Sequence, residues 1–242
     1  MEETIRSLVA FGLVLLLVLA RFDAARFGIS DEGGSGDRLA SAASDASAGA
    51  VRRLGAWYVL VAVLVVAAAA AHPADAGDLG IGLGGLSTAL VLGIAYGVVG
   101  AGGAIALATL DGRRLQPPED LTTSLDLVAA AGTAVADEMV FRGLLLGLML
   151  LAGIDPTLAI LAQALLYALA SGAATKGADR PAGRELPRVV LVLAIGLVGG
   201  WVTVATGGLG AAIVGHVAVR VTLALAADPA PEPTLRTAPE GR

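Results

Sequence analysis

TAVADEMVFRGLLLGLMLLAG, residues 133–153, is an apolar run that carries two adjacent carboxylates and a guanidinium in its first half: Asp137, Glu138 and Arg142. A run of this length and character reads as a membrane-spanning helix. Charges at membrane depth cost several kcal/mol each unless they pair or line a wet cavity, so they are read as functional by default. On a helix, Glu138 and Arg142 are four residues apart and share a face. Asp137 lies about 100° round from Glu138, so both carboxylates can border one cavity. The same pattern has a plainer reading, a Glu–Arg pair that holds helices together.

The composition extends that reading to the whole chain. Of 242 residues, 56% are hydrophobic, and the mean hydropathy is +0.81. Soluble domains are about 45–50% apolar, so the expected class is an all-α, polytopic membrane protein. The absence of cysteine excludes disulfides, thiolate catalysis and Cys-based metal or iron–sulfur sites. With only two histidines, His72 and His216, a three-histidine metal site cannot be built within one chain. The net charge is −5, and no long basic stretch is interleaved with aromatics, which argues against a nucleic-acid partner.

Seven spans are expected, at about 5–20, 57–71, 86–110, 125–151, 157–170, 189–206 and 209–226. A cleaved signal peptide is the rival reading of the first; a span is the expectation, because Glu2 and Glu3 replace a basic start and Arg21 stands where a cleavage site would be. The connections alternate in charge. Segment 21–56 carries Arg21, Arg26, Arg38, Arg52 and Arg53; 111–120 carries Arg113 and Arg114; 172–188 carries Lys176, Arg180, Arg184 and Arg188. The intervening connections carry no Lys or Arg, so the expected topology is a multi-pass cell-membrane protein with the N-terminus outside and the C-terminus cytoplasmic. Three organisational units follow. Residues 1–120 hold three spans and a polar cytoplasmic linker at about 21–56; 121–227 form a core; 228–242 are a Pro-rich tail expected to be disordered. Gly93, Gly97, Gly100 and Gly103 in the third span are spaced for close helix packing. His72 reads as an interfacial loop residue.

Asp137-Glu138-Met139-Val140-Phe141-Arg142-Gly143 resembles the first motif of the CPBP intramembrane proteases, which include the type II CAAX prenyl endopeptidases and bacteriocin-processing or immunity proteins. That motif is Glu-Glu-x-x-x-Arg, often with Phe before the Arg and Gly after it; here Asp137 stands at the first Glu. The resemblance covers roughly Leu125 to Ala226. The family's second motif, Phe-x-x-x-His, aligns with Tyr167-Ala-Leu-Ala-Ser171, which has Ser171 in place of His. Its third, His-x-x-x-Asn or His-x-x-x-Asp, aligns with His216-Val-Ala-Val-Arg220, which keeps the His and has Arg220 in place of the last residue.

The resemblance implies an intramembrane endopeptidase. Glu138 would be general base on a water that attacks a peptide bond, His216 would assist, and Arg142 would orient Glu138 or stabilise the oxyanion. Asp137 would be a second carboxylate. The implied partners are the lipid bilayer and a membrane-associated protein or peptide substrate. One His and two carboxylates leave a divalent ion such as zinc open, and metal-free chemistry is the favoured expectation. The departures at Ser171 and Arg220 support an alternative, a catalytically degenerate member that binds a partner as an immunity or scaffold protein. Arg220 is expected to pair with Asp137 or Glu138. A minor alternative is a rhomboid-like serine protease using Ser171 and His216.

Overall fold

The protein is described from a computed structural model that covers residues 2–22, 45–74, 77–116, 121–171 and 182–227. Among these residues the chain forms seven helical rods: α1 (Glu2–Phe22), α2 (Asp45–Ala71), α3 (Leu86–Leu110), α4, α5 (Pro156–Ala170), α6 (Ala182–Thr206) and α7 (Gly210–Ala224). Rod α4 is continuous but not uniform. An α-helical part, Leu121–Glu138, passes into a π-helical stretch, Met139–Leu145, and returns to α-helix at Leu146–Leu151. Two short strands, β1 (Arg114–Leu115) and β2 (Ala226–Ala227), pair antiparallel, with Arg114 opposite Ala227 and Leu115 opposite Ala226.

Three helices, Glu2–Arg21, Leu86–Leu110 and Leu186–Thr206, are long and apolar enough to cross a membrane by length and composition. Gly55–Ala71, Pro156–Ala170 and Gly210–Ala224 are shorter apolar helices. Large apolar side chains point outward on α1, α2 and α3, among them Leu8, Val66 and Val99. Such a surface suits hydrocarbon rather than water. The molecule is a mostly helical membrane protein.

The rods place the connections at two opposite ends. At one end Arg6 Nε donates to Ala71 O at 3.0 Å, Gly85 N to Thr206 O at 3.2 Å and Leu209 N to Gly82 O at 2.7 Å. At the other, Arg188 Nη2 pairs with Asp111 Oδ2 at 3.0 Å, and Gln116 N donates to Leu225 O at 2.8 Å beside the β1–β2 ladder. The connections 72–85 and 207–208, which carry no Lys or Arg, thus share the first end, and the one bearing Arg113 and Arg114 lies at the second.

The closest packing is between α3 and α7, where small residues let the backbones approach. A Cβ on Gly93 would come within 3.0 Å of Val214 Cβ, and one on Gly97 within 3.1 Å of Ala218 Cβ. Across the same interface the Tyr96 ring lies against Gly215, where a methyl group would overlap it. Asp155 starts α5 as the sequence pattern dictates: its carboxylate accepts from Thr157 N at 2.9 Å and Leu158 N at 3.2 Å, with Pro156 in the first turn.

Two expectations about the linker are corrected. Helix α2 begins at Asp45, so the last part of the expected 21–56 linker is helical. Arg21 is not a linker residue; it belongs to α1, and its side chain is buried inside the bundle. The remaining linker residues, 23–44, and the tail, 228–242, lie outside the described residues, as do Lys176 and Arg180.

Candidate active site

The π-helical stretch begins directly after Glu138 and contains Arg142. Widened turns of this kind recur at functional sites because they redirect side chains without breaking the helix. Here Asp137 and Glu138, adjacent in sequence, serve two different sets of partners.

Glu138 faces α7 and its own helix. His216 Nδ1 lies 2.6 Å from Glu138 Oε1, and Arg142 Nη1 stands 3.3 Å from the same oxygen. The other oxygen, Oε2, is buried and has no hydrogen-bond partner among the described residues. Arg142 is fixed from two further sides. Its Nη2 donates to Ile195 O of α6 at 3.1 Å, and its guanidinium carbon sits 4.3 Å over the centroid of the Tyr167 ring. Gly199 on α6 gives the guanidinium room, since a Cβ there would come within 3.0 Å of Arg142 Nε.

His216 is held at both nitrogens. Tyr167 OH lies 3.0 Å from Nε2, and Arg220 Nε donates to that same nitrogen at 3.3 Å. A guanidinium N–H can only donate. Nε2 is therefore placed to accept, and Nδ1 faces the Glu138 carboxylate as a donor would.

Asp137 forms the second half of the cluster. Arg220 Nη2 donates to Asp137 Oδ2 at 2.9 Å. Arg21, from the far end of α1, donates Nε to Oδ1 at 2.7 Å and Nη2 to Oδ2 at 3.2 Å. A fork-to-fork guanidinium–carboxylate pair of this kind combines strength with fixed orientation. Asp137, Glu138, Arg142, His216, Arg220 and Arg21 are all less than a tenth exposed. Each of these buried charges lies beside a group of opposite sign, the condition under which such charges are tolerated.

The structure thus brings together Asp137, Glu138, Arg142, His216 and Arg220, drawn from the first and third motifs. It adds two residues to which the sequence reading gave no place in the site. By sequence Arg21 reads as a loop cation. Tyr167 opens the segment that aligns with the second motif, at the position of its Phe. Ser171 is not joined to the cluster by a hydrogen bond. It ends α5, with its N–H bonded to Tyr167 O at 2.9 Å. Its buried Oγ has no hydrogen-bond partner among the described residues, while the His216 nitrogens are engaged by other groups. The serine–histidine dyad is therefore not made. Far from this cluster, His72 Nδ1 accepts from Ala74 N at 3.1 Å in the turn after α2.

No group of three His, Asp or Glu side chains among the described residues is placed to hold a metal ion. The donor set does not fit one as arranged. His216 Nε2 faces a guanidinium, and both Asp137 oxygens are bonded to arginines. A dication there would meet like charge.

Residues 121–222 match the family model described as type II CAAX prenyl endopeptidase Rce1-like. That segment is similar to the Rce1-like family, a likeness consistent with a CPBP-family protease. The match begins at α4 and ends within α7, so it contains Asp137, Glu138, Arg142, His216 and Arg220, while Arg21 lies outside it. Neither a curated protein nor a solved structure matches the chain.

Proposed function

We propose that this chain hydrolyses a peptide bond of a membrane-associated protein, with Glu138 as general base on the attacking water. The observation that carries this reading is the asymmetry of the Glu138 carboxylate. Oε1 is held by His216 and Arg142, whereas Oε2 is buried and has no hydrogen-bond partner among the described residues. A carboxylate fixed through one oxygen keeps the other available to take a proton from water, the geometry a general base requires. His216 orients the carboxylate through Nδ1–H. Arg142, steadied by Tyr167 and Ile195 O, supplies a fixed positive charge beside the reacting centre, where negative charge develops on the carbonyl oxygen. Asp137 takes no part in proton transfer; it anchors Arg220 and Arg21.

The proposed setting is a seven-span, multi-pass protein with the N-terminus outside and the C-terminus cytoplasmic, its substrate reaching the site from the bilayer. Placement of the Lys/Arg-free connections 72–85 and 207–208 at one end, away from Arg113 and Arg114, supports that topology.

A second reading has its own observation. Arg220 lies against His216 Nε2, at the position where the family pattern has Asn or Asp, and this favours a catalytically silent member that binds a partner through the same core. Cleavage of a membrane-tethered peptide library by the purified protein in liposomes separates the two. The hydrolase reading requires products that depend on Glu138; the binding reading requires peptide capture with no products.

A further inference from the structure

The position of Arg220 has a consequence for protonation that the function alone does not require. Its guanidinium touches His216 Nε2 through Nε, at 3.3 Å, and Asp137 Oδ2 through Nη2, at 2.9 Å. Asp137 is itself gripped by Arg21 from α1, so Arg220 is braced by a carboxylate that is braced in turn. The groups facing the His216 ring are Glu138 from α4, Tyr167 from α5 and Arg220 from its own helix, with Arg142 across Glu138 and the Tyr96 ring of α3 packed on the adjacent Gly215. Of these, Tyr167 OH can accept or donate, so it tolerates Nε2 with or without a proton. Arg220 cannot. A proton on Nε2 would point one N–H at another and place a cationic ring against a guanidinium in a setting of low dielectric.

We propose that Arg220 is a positioning residue that keeps Nε2 of His216 free of a proton and so fixes His216 as a neutral ring donating Nδ1–H to Glu138. Arg21 and Asp137 complete the device by holding the guanidinium in place. Without Arg220, Tyr167 can turn its oxygen to accept from Nε2–H, and His216 is free to take a second proton and lock Glu138 in an ion pair. The catalytic meaning of this arrangement rests on the reading of Glu138 as the base; the protonation state itself does not.

The test is nuclear magnetic resonance of the full chain in bilayers, with 15N-labelled histidine. The chain has only two histidines, so His72→Gln leaves His216 as the one signal. Across about pH 5–8, the range in which an ordinary histidine titrates, the parent is expected to show a single N–H, on Nδ1, and a bare Nε2. Arg220→Gln, whose amide oxygen can accept, is expected to gain an Nε2–H signal in the lower part of that range. Arg220→Lys, which can only donate, is expected to restore the bare Nε2. A proton on Nε2 in the parent overturns the proposal, and this arm needs no variant at position 220 to fold. A bare Nε2 throughout in folded Arg220→Gln also overturns it. Because the readout is a proton position, it stands apart from cleavage. If Glu138→Gln cleaves normally while these spectra hold, the catalytic reading falls and the role of Arg220 remains.

Discussion

Arg21→Met removes the one cation that the first helix contributes to the buried cluster, and its cost can be worked from the contacts. Arg21 makes two charge-assisted bonds to Asp137, at 2.7 and 3.2 Å. Stripping one partner from a buried ion pair costs about 3–5 kcal/mol when the remaining charge is left uncompensated. Here it is compensated, because Arg220 stays 2.9 Å from Oδ2. The expected loss is therefore nearer the net worth of hydrogen bonds to a charged group, about 2–3 kcal/mol. Methionine preserves most of the length and apolar volume of the stem, so the packing term is small. The assay is reversible unfolding in mixed detergent micelles, run as a cycle with Asp137→Asn. Residues in direct contact should show a coupling of about 1–3 kcal/mol. If Arg21→Met costs less than about 0.5 kcal/mol, as an ordinary surface change does, or if the two changes simply add, Arg21 is not part of the cluster and the account of Asp137 as an anchor fails.

Further outcomes follow from the same geometry. Single cysteines at positions 114 and 176 should label from the cytoplasmic side and those at 78 and 155 from outside, with no background because the chain has no native cysteine; outward labelling at 114 or 176 would reverse the proposed orientation. Gly215→Ala puts a methyl group on the Tyr96 ring, so it should cost about 1–3 kcal/mol of stability by overpacking, and a neutral effect in unfolding experiments would contradict the close α3–α7 contact. Ser171→Ala should leave cleavage unchanged, since Ser171 Oγ bonds to no described group; loss of activity with the fold intact would revive a serine nucleophile.

How much of this was legible in the sequence depends on the range of the interaction. The apolar runs located the seven helical rods seen among the described residues, because an uninterrupted apolar stretch is legible whatever its neighbours do; three of the rods are long and apolar enough to cross a membrane. Rod ends were less legible. Asp45 to Arg53 reads as polar linker by composition, but its Ala-rich stretch continues the helix below the apolar part of α2. Glu138, Arg142 and His216 were visible because a charge or imidazole inside an apolar run demands a partner. Which partner was another matter. Arg21 lies 116 residues from Asp137 and sits at the edge of its span, where a positive charge already has an explanation in membrane topology. Tyr167 and His216 are 49 residues apart, and nothing in a Tyr on an apolar helix announces where its hydroxyl goes. The π-helical stretch leaves no periodic trace over seven residues, yet it sits between the helical turn that carries Asp137 and Glu138 and the rest of α4.

The central claim is that Glu138 is the base, and the direct measurement is the rate of peptide release by purified protein in liposomes, wild type against Glu138→Gln. The amide keeps the shape of the carboxylate but cannot take a proton, so loss of general-base help should slow cleavage by about 10²–10⁴-fold. Unfolding must be followed in the same samples, because the change also strips the charge that pairs with Arg142 at 3.3 Å and accepts from His216 at 2.6 Å. The account predicts that folded Glu138→Gln is slower by that factor than a wild type that cleaves. A folded Glu138→Gln that cleaves as fast as wild type would contradict it.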